Sequence, residues 1–408
     1  MVFAIGLGCE VRPELALVSA VFLMTMWFLI RPSWRQALLF GVVAGLVPAA
    51  YEIFRAGYYG VLLPLPAITK EASQSNWGRG WSYVAESLGP YWLWVPLCIA
   101  VAAWLGGVAK VRAERRDLVV HLAPAISAGL LMLFVVRVGG DYMNSRMVLS
   151  PVLLLLLPTL LVPVTRAGMA SCVSATMWAV LAMSPLRHPF DTPAGDPHTQ
   201  NIRRLSIQLT GRAHPVSGAD WSKGMAEYSA SIRANLDPPQ PSLAYPFGRA
   251  IKLTPLRRGA RYRTVHVAGL LGLTGATVPL EDGIVDAWSL AYPLGAHFER
   301  PPKPPHAVWL PGHEKWLPPV WLFADWADPD RLVPPPVALH VDRGGLDAAR
   351  HTLRCSQIGE LVESVRAPMT PGRFLRNLTG SLRRTQLRIP MDPLQAEARY
   401  CGSSQPRG

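Results

Sequence analysis

The stretch Arg137-Val-Gly-Gly-Asp-Tyr-Met-Asn-Ser-Arg146 decides how the rest of this chain is arranged. It lies between two apolar segments, 118–136 and 147–164, each long enough to span a membrane. Two arginines and an aspartate at the edge of a membrane are costly unless they have a partner or a function. The glycine pair allows a tight turn and close approach of another group to the backbone. We therefore interpret the stretch as a turn that lines a polar pocket at the membrane surface and holds an anionic, lipid-linked substrate.

The composition indicates an integral membrane protein with a polar C-terminal part. Half of the 408 residues are hydrophobic and only 16% are charged, and the apolar residues are concentrated in the first half of the chain. We predict a polytopic α-helical membrane domain over residues 1–186 and a soluble α+β domain over residues 187–408. About six spans are expected, over 15–30, 36–54, 91–109, 118–136, 147–164 and 168–185.

The distribution of basic residues predicts the orientation. The net charge is +13, and Lys and Arg crowd into very short loops such as 31–35 and 110–117. Because Lys and Arg are retained in short cytoplasmic loops, we place these loops in the cytoplasm. The 137–146 turn, the polar loop 58–90 and everything after residue 185 then lie outside. No basic face interleaved with aromatic residues is present, so nucleic acid is not expected as a partner.

The polar half of the chain is predicted to contain both strands and helices. Segments 263–273 and 283–290 have the composition of strands, and 346–365 has the apolar spacing of a helix. Two of the five cysteines, Cys355 and Cys401, lie in this outer domain. An oxidising compartment permits a disulfide between them, and two separate buried thiols are the alternative. No CxxC pair occurs, so the sequence indicates no metal site and no cofactor.

The beginning of the chain is unusual for a membrane protein. Residues 2–8 are apolar but too few to span a bilayer, and Glu10, Arg12 and Glu14 follow at once. The segment also lacks the basic region and the cleavage site of a signal peptide. We expect it to be the end of a helix whose beginning is missing, which implies an N-terminally shortened chain.

Candidate binding residues cluster on the predicted outer face. Arginine suits phosphate because its planar fork donates two parallel hydrogen bonds, and tyrosine can stack on a sugar ring or hold a polyprenyl chain. Interfacial ion pairs and an aromatic belt at the membrane boundary are the alternatives. The candidates are Arg12, Glu14, Tyr58, Tyr59, Lys70, Arg137, Asp141 and Arg146.

Four segments resemble one protein family. Residues 54–72, which contain Arg55-Ala-Gly-Tyr-Tyr-Gly60, resemble an outer loop of the actinobacterial terminal β-(1→2)-arabinofuranosyltransferases. The 137–146 stretch is similar to their Gly-Gly-Asp-aromatic-Met-x-x-Arg turn. Residues 286–297 and 311–318 are similar to segments of their outer domain. The four segments occur in the family's order, and the resemblance covers essentially the whole chain.

The resemblance implies a multi-pass plasma-membrane glycosyltransferase of the GT-C class with an extracytoplasmic C-terminal domain. Its donor would be polyprenyl-phosphate arabinose, and its acceptor the ends of arabinan in arabinogalactan or lipoarabinomannan. Arg137 and Arg146, with Lys70 and Arg12, would neutralise the donor phosphate as it leaves. In the outer domain the expected acceptor-binding residues are Trp288, His313 and Lys315.

The sequence also departs from the family pattern. Family members are longer, and enzymes of this class usually carry the catalytic carboxylate in an N-terminal half that this chain is expected to lack, so we assign no catalytic residue. Leu65-Pro66 stands where similar sequences have an Asn-containing turn. The alternative function is therefore a truncated, non-catalytic membrane protein whose outer domain binds glycan or partner proteins.

Overall fold

The computed structural model divides the chain into two compact units. One consists of Met1–Ile53 and Ala72–Ile202, and the other of Phe54–Glu71 and Arg203–Gly408. The predicted boundary at residue 186 lies outside the residues that the structure describes. Those residues are 1–71, 74–111, 115–157, 165–183, 201–247, 250–301, 312–328, 330–331 and 341–402.

The first half of the chain is helical. Its helices are α1 (Val2–Gly6), α2 (Gly8–Val11), α3 (Ala16–Ile30), α4 (Trp34–Tyr59), α5 (Leu65–Thr69), α6 (Trp77–Leu88), α7 (Trp94–Val111), α8 (Arg115–Val138), α9 (Leu149–Leu156) and α10 (Arg166–Met183). Within the first unit, α8 packs against α3, α6 and α9. Helix α5 belongs to the second unit.

Three of the described helices are long and apolar enough to cross a membrane. They cover Pro13–Ile30, Trp34–Tyr59 and Arg116–Val138, with mean hydropathies of 1.9, 1.9 and 2.3. These match the first, second and fourth predicted spans. Among the described residues, α7, α9 and α10 are not both long enough and apolar enough to be counted as spans. Residues 158–164, the end of the fifth predicted span, lie outside the described part of the chain. A membrane protein is supported, whereas the prediction of six spans is not confirmed.

A small mixed sheet forms the centre of the second unit. Its strands are β1 (Ser242–Phe247), β2 (Ala250–Pro255), β3 (Thr264–Ala268) and β4 (Gly283–Asp286), in the order β2-β1-β3-β4. Strand β1 pairs antiparallel with β2 and parallel with β3, and β3 pairs parallel with β4. Buried apolar side chains of β1, β3 and β4 share one core with the helices, and this core includes Leu243, Val265, Val285, Phe298 and Trp321.

Both predicted strands occur, in shorter form. Strand β3 ends at Ala268 because the chain turns at Gly269 and enters a helix at Leu271. Strand β4 ends at Asp286, whose carboxylate accepts hydrogen bonds from three backbone N–H groups farther along the chain. These bonds close a turn, so the residues after Asp286 do not continue the strand.

Ten helices are described in this half. They are α11 (Ile202–Thr210), α12 (Gly218–Gly224), α13 (Ala226–Arg233), α14 (Leu271–Gly275), α15 (Pro293–Ala296), α16 (Pro319–Trp326), α17 (Arg343–Thr352), α18 (Ser356–Arg366), α19 (Pro371–Gln386) and α20 (Pro393–Tyr400). Two of them, α13 and α14, pack directly against strands of the sheet. The helical segment predicted over 346–365 is present as two helices, α17 and α18. The chain is extended between them at Cys355 (φ −73°, ψ 146°), which forms a disulfide with Cys401 after α20.

We predict that this disulfide stabilises the second unit. It joins cysteines 46 residues apart, and closing a loop of this length contributes about 2–4 kcal/mol. The double variant Cys355→Ser/Cys401→Ser should therefore unfold at a lower temperature, as measured by proteolysis of the full chain after heating. Cys98→Ser is the matched control, since Cys98 is an exposed free cysteine. Equal unfolding of the two variants would contradict the prediction.

Candidate functional site

The turn after α8 depends on its two glycines. Gly139 and Gly140 have φ values of +85° and +70°, in the left-handed region that favours glycine. A Cβ atom on Gly140 would lie 2.2 Å from the ring of Tyr83, so no larger residue fits against that ring. The chain therefore folds closely over Tyr83 of α6 before it reaches Asp141.

Asp141 and Arg146 form an ion pair within this turn. The Asp141 side chain is 4% exposed, whereas the Arg146 side chain is 45% exposed. The Tyr83 hydroxyl donates to the carbonyl of Met143 at 2.8 Å and accepts from the N–H of Met147 at 3.2 Å. Burial raises the pKa of Tyr83 to about 12, so the phenol stays neutral and its O–H remains available as a hydrogen-bond donor. The result is a fixed loop that buries one carboxylate and leaves a guanidinium accessible to an anion.

The other candidates in the first unit have local partners. Arg12 forms an ion pair with Glu14, and the Pro13–Leu15 turn packs against α8. Arg137 is exposed at the end of α8, and its carbonyl accepts a hydrogen bond from the N–H of Asn76 at 2.7 Å. The Arg12–Glu14 pair is consistent with the alternative of an interfacial ion pair. A donor-binding role for these residues stays a prediction.

In the second unit, Tyr58 and Tyr59 belong to an exposed aromatic cluster. The ring of Phe54 stacks on Tyr58 with centroids 5.2 Å apart, and Tyr58 meets Tyr59 edge to face at 4.9 Å. All three side chains are exposed. This surface suits a sugar ring, a prenyl chain or the membrane boundary equally well, so their role also stays a prediction.

Lys315, expected to bind the acceptor, is buried among protein partners. Its ammonium lies 3.0 Å from the Glu71 carboxylate and donates to the carbonyls of Ile68 at 3.4 Å and Ala296 at 3.3 Å. Burial lowers the pKa of Lys315, and the Glu71 carboxylate opposes that shift. Because three protein acceptors surround the ammonium, we infer that Lys315 positions the loop before Glu71 rather than touching a substrate.

Arg300 extends this buried pair, and the sequence analysis did not identify it. Its guanidinium lies 3.7 Å from the Glu71 carboxylate and donates to the carbonyl of Lys70 at 3.3 Å. The aliphatic part of the Lys70 side chain lies close to Gly312, where a Cβ atom would be 3.1 Å away. No signal in the sequence points to Arg300, because it lies outside the four segments that resemble the family.

Trp288 and His313 meet in an aromatic cluster with Trp316. The ring centroids of Trp288 lie 4.7 Å from Trp316 and 5.5 Å from His313, both edge to face. The Trp288 indole donates to the carbonyl of Gly269 at 3.0 Å. Gly269 follows β3 and Trp288 follows β4, so the cluster lies at the carboxyl ends of parallel strands. Ligands commonly bind at this edge of a sheet that contains parallel strands.

One group of side chains has the spacing of a metal site. In the described part of the chain, the ligand atoms of His351, Cys355 and Cys401 lie close together. Both cysteines are in a disulfide, so neither offers the thiolate that a metal would need. The group therefore offers no cysteine thiolate to a metal.

Comparison with known proteins identifies the family. The family model described as the AftB family C-terminal domain matches residues 257–398. Over its whole length the chain is 30% identical to a terminal β-(1→2)-arabinofuranosyltransferase of Mycobacterium tuberculosis and covers 71% of that protein. The chain belongs to the terminal β-(1→2)-arabinofuranosyltransferase family. The resemblance is thus confirmed, and with it the assignment to the glycosyltransferases.

A second relative extends the comparison. The chain is 29% identical, over 94% of its length, to the protein of the same name from Corynebacterium glutamicum and covers 59% of that protein. The chain is thus shorter than both of these members of the arabinofuranosyltransferase family. No solved structure matches the chain.

We predict that breaking the Lys315–Glu71 pair destabilises this family member strongly. Lys315→Met leaves the Glu71 carboxylate buried without its nearest cation, which costs about 3–5 kcal/mol. Adding Glu71→Leu removes the unpaired charge and should recover most of that loss. The measurement is the thermal unfolding midpoint of the full chain for the single and the double variant.

Arg399→Met is the matched control for this experiment. It removes an arginine whose ion pair with Glu299 is exposed on both sides, and such pairs contribute at most about 1 kcal/mol. If Lys315→Met shifted the midpoint no more than the control, the assignment of a buried structural pair would be wrong.

Proposed function

We propose that this chain transfers arabinofuranose from a polyprenyl-phosphate donor to the ends of cell-wall arabinan. Its family supports arabinosyl transfer in cell-wall synthesis. The observation that supports the donor class is the Asp141–Arg146 pair, built into a turn directly after a helix able to span a membrane. A lipid-linked phosphate has its charge at the same depth, where the hydrocarbon ends and the head groups begin.

In this proposal Arg146 binds the donor phosphate. The bond between the sugar and the phosphate breaks in the transfer, and the lipid phosphate departs with added negative charge. A guanidinium held in place stabilises that charge without reorganising during the reaction. Asp141 is buried and already paired, so it is a positioning residue that keeps the Arg146 fork in one orientation. Arg137, exposed at the end of α8, is a second candidate cation for the same anion.

The proposal includes the plasma membrane and an extracytoplasmic site. Arabinan acceptors lie outside the cytoplasm, and the crowding of Lys and Arg into the short loops 31–35 and 110–117 supports the same orientation. Asp141 is paired with Arg146 and Glu71 with Lys315, so we assign neither carboxylate as the catalytic base.

We predict that Arg146→Ala lowers the rate of arabinose transfer from a polyprenyl-phosphate donor about 100-fold or more. This is the typical effect of removing one donor that stabilises developing charge. Arg146→Lys keeps the charge without the planar fork and should be intermediate. The assay uses membranes that contain the full chain at equal amounts.

Arg399→Ala, which removes an exposed arginine of the second unit, is the control and should keep the parental rate. An Arg146→Ala variant as fast as the parent would exclude Arg146 from the donor site.

The aromatic cluster of the second unit supports the alternative function of glycan binding. Trp288, His313 and Trp316 place edge-to-face rings at the carboxyl ends of β3 and β4. Aromatic faces are apolar and rigid, and they suit the C–H faces of a furanose. A glycan-binding unit would serve a transferase by holding its acceptor, and it would also serve a protein without catalytic activity.

We predict that Trp288→Ala weakens binding of an arabinan oligosaccharide about tenfold, which corresponds to roughly 1.4 kcal/mol. Binding is measured directly by calorimetry on the full chain in detergent, so that it does not depend on transfer. Trp288→Phe should retain most of the affinity, and Trp221→Ala, in α12 of the same unit, is the control. Unchanged affinity in Trp288→Ala would exclude the cluster as the glycan site.

A further inference from the structure

Helix α6 has an apolar face that packs on the end of α8. Its buried residues are Gly80, Tyr83, Val84 and Ser87, spaced as one side of a helix. A Cβ atom on Gly80 would lie 1.9 Å from the carbonyl oxygen of Val136, so the two backbones are in direct contact. The N–H of Asn76, the N-cap of α6, donates to the carbonyl of Arg137 at 2.7 Å. Helix α6 is therefore fixed at the point where a membrane-spanning helix ends.

A second face of α6 is apolar and exposed. Trp77 and Trp81 are one turn apart, both are exposed, and the Trp81 side chain is 64% exposed. With about 100° per residue, the two positions lie roughly 40° apart beside the buried face. The charged residues Arg79 and Glu86 lie about 150° from Trp81 on the same wheel, and exposed Ser82 lies on their side. The helix thus has a buried side, an exposed aromatic side at Trp77 and Trp81, and an exposed polar position at Ser82.

Two further exposed tryptophans follow α6 in the chain. Trp92, in the 3-10 turn Pro90–Trp92, and Trp94, at the start of α7, are also exposed. Four of the chain's 14 tryptophans therefore lie exposed within 18 residues at one end of the first unit. Tryptophan is enriched where hydrocarbon meets lipid head groups, because its ring is apolar and its N–H needs a polar partner.

We propose that α6 lies in the plane of the membrane, with Trp77 and Trp81 among the lipid head groups. The partner of this face is the interfacial layer of a phospholipid bilayer. The helix also sets the height of the Asp141–Arg146 turn, because Tyr83 on its buried face packs under Gly140 and hydrogen-bonds to Met143. The inference goes beyond the proposed function, since it requires a bilayer and no sugar donor.

Site-directed spin labelling tests the position of α6. The full chain, with Cys9, Cys98 and Cys172 replaced by serine, is placed in phospholipid nanodiscs with a nitroxide at one position at a time. Trp81→Cys should give a label that is relaxed more by oxygen, which concentrates in lipid, than by a water-soluble nickel chelate. Ser82→Cys, the next residue of the same helix, should show the reverse order.

Leu280→Cys supplies the reference for full exposure to water, because Leu280 is 97% exposed in the second unit. A Trp81 label that responds like the labels at Ser82 and Leu280 would overturn the proposal. Broadening of the Trp81 spectrum that disappears on dilution with unlabelled protein would assign the face to a second copy of this chain, and would also overturn it. The outcome does not depend on arabinose transfer, so it separates this inference from the proposed function.

Discussion

The carboxylate of Asp141 is buried where a membrane-spanning helix ends, and the structure of the first unit around it follows from that constraint. An isolated buried carboxylate costs several kcal/mol, so it requires a cation, and Arg146 supplies it five residues later. Gly139 and Gly140 turn the chain with left-handed backbone conformations before it reaches Asp141, and Ser145, also left-handed (φ +62°), lies between the two paired residues. The Tyr83 ring packs against Gly140, where only a glycine fits, and its hydroxyl hydrogen-bonds to Met143 on the far side of the turn.

The second unit also buries a carboxylate, and the cations that pair with it are distant in sequence. Glu71 is buried beside Lys315 and Arg300, which belong to segments more than two hundred residues away. Thr69 adds a hydrogen bond to the carbonyl of Ser289 at 2.7 Å. A buried ion pair contributes little net stability compared with an apolar pair, but it permits only one alignment of its segments. We infer that it fixes the position of α5 within the second unit.

The sequence predicted the elements whose signal is local. The helices near 15–30, 36–54 and 118–136 follow from apolar runs, and the strands near 264 and 283 follow from their composition. The turn at Gly139 follows from its glycine pair. Helix α6 was missed and read as a polar loop, because its apolar residues divide between a buried face and an exposed one. The burial of Lys315 beside Glu71 could not be predicted either, since nothing in the sequence around Lys315 identifies Glu71 as its partner.

The composition of the second unit from two separated stretches has a consequence for biosynthesis. The segment Phe54–Glu71 is translated long before residues 203–408, with which it packs. Lys315 leaves the ribosome more than two hundred residues after Glu71, which at about 5–20 residues per second is a delay of roughly 10–50 s. Until Lys315 has been made, the Glu71 carboxylate lacks the nearest cation with which it pairs in the folded unit. The second unit is therefore completed only late in translation, after its C-terminal segments have been made.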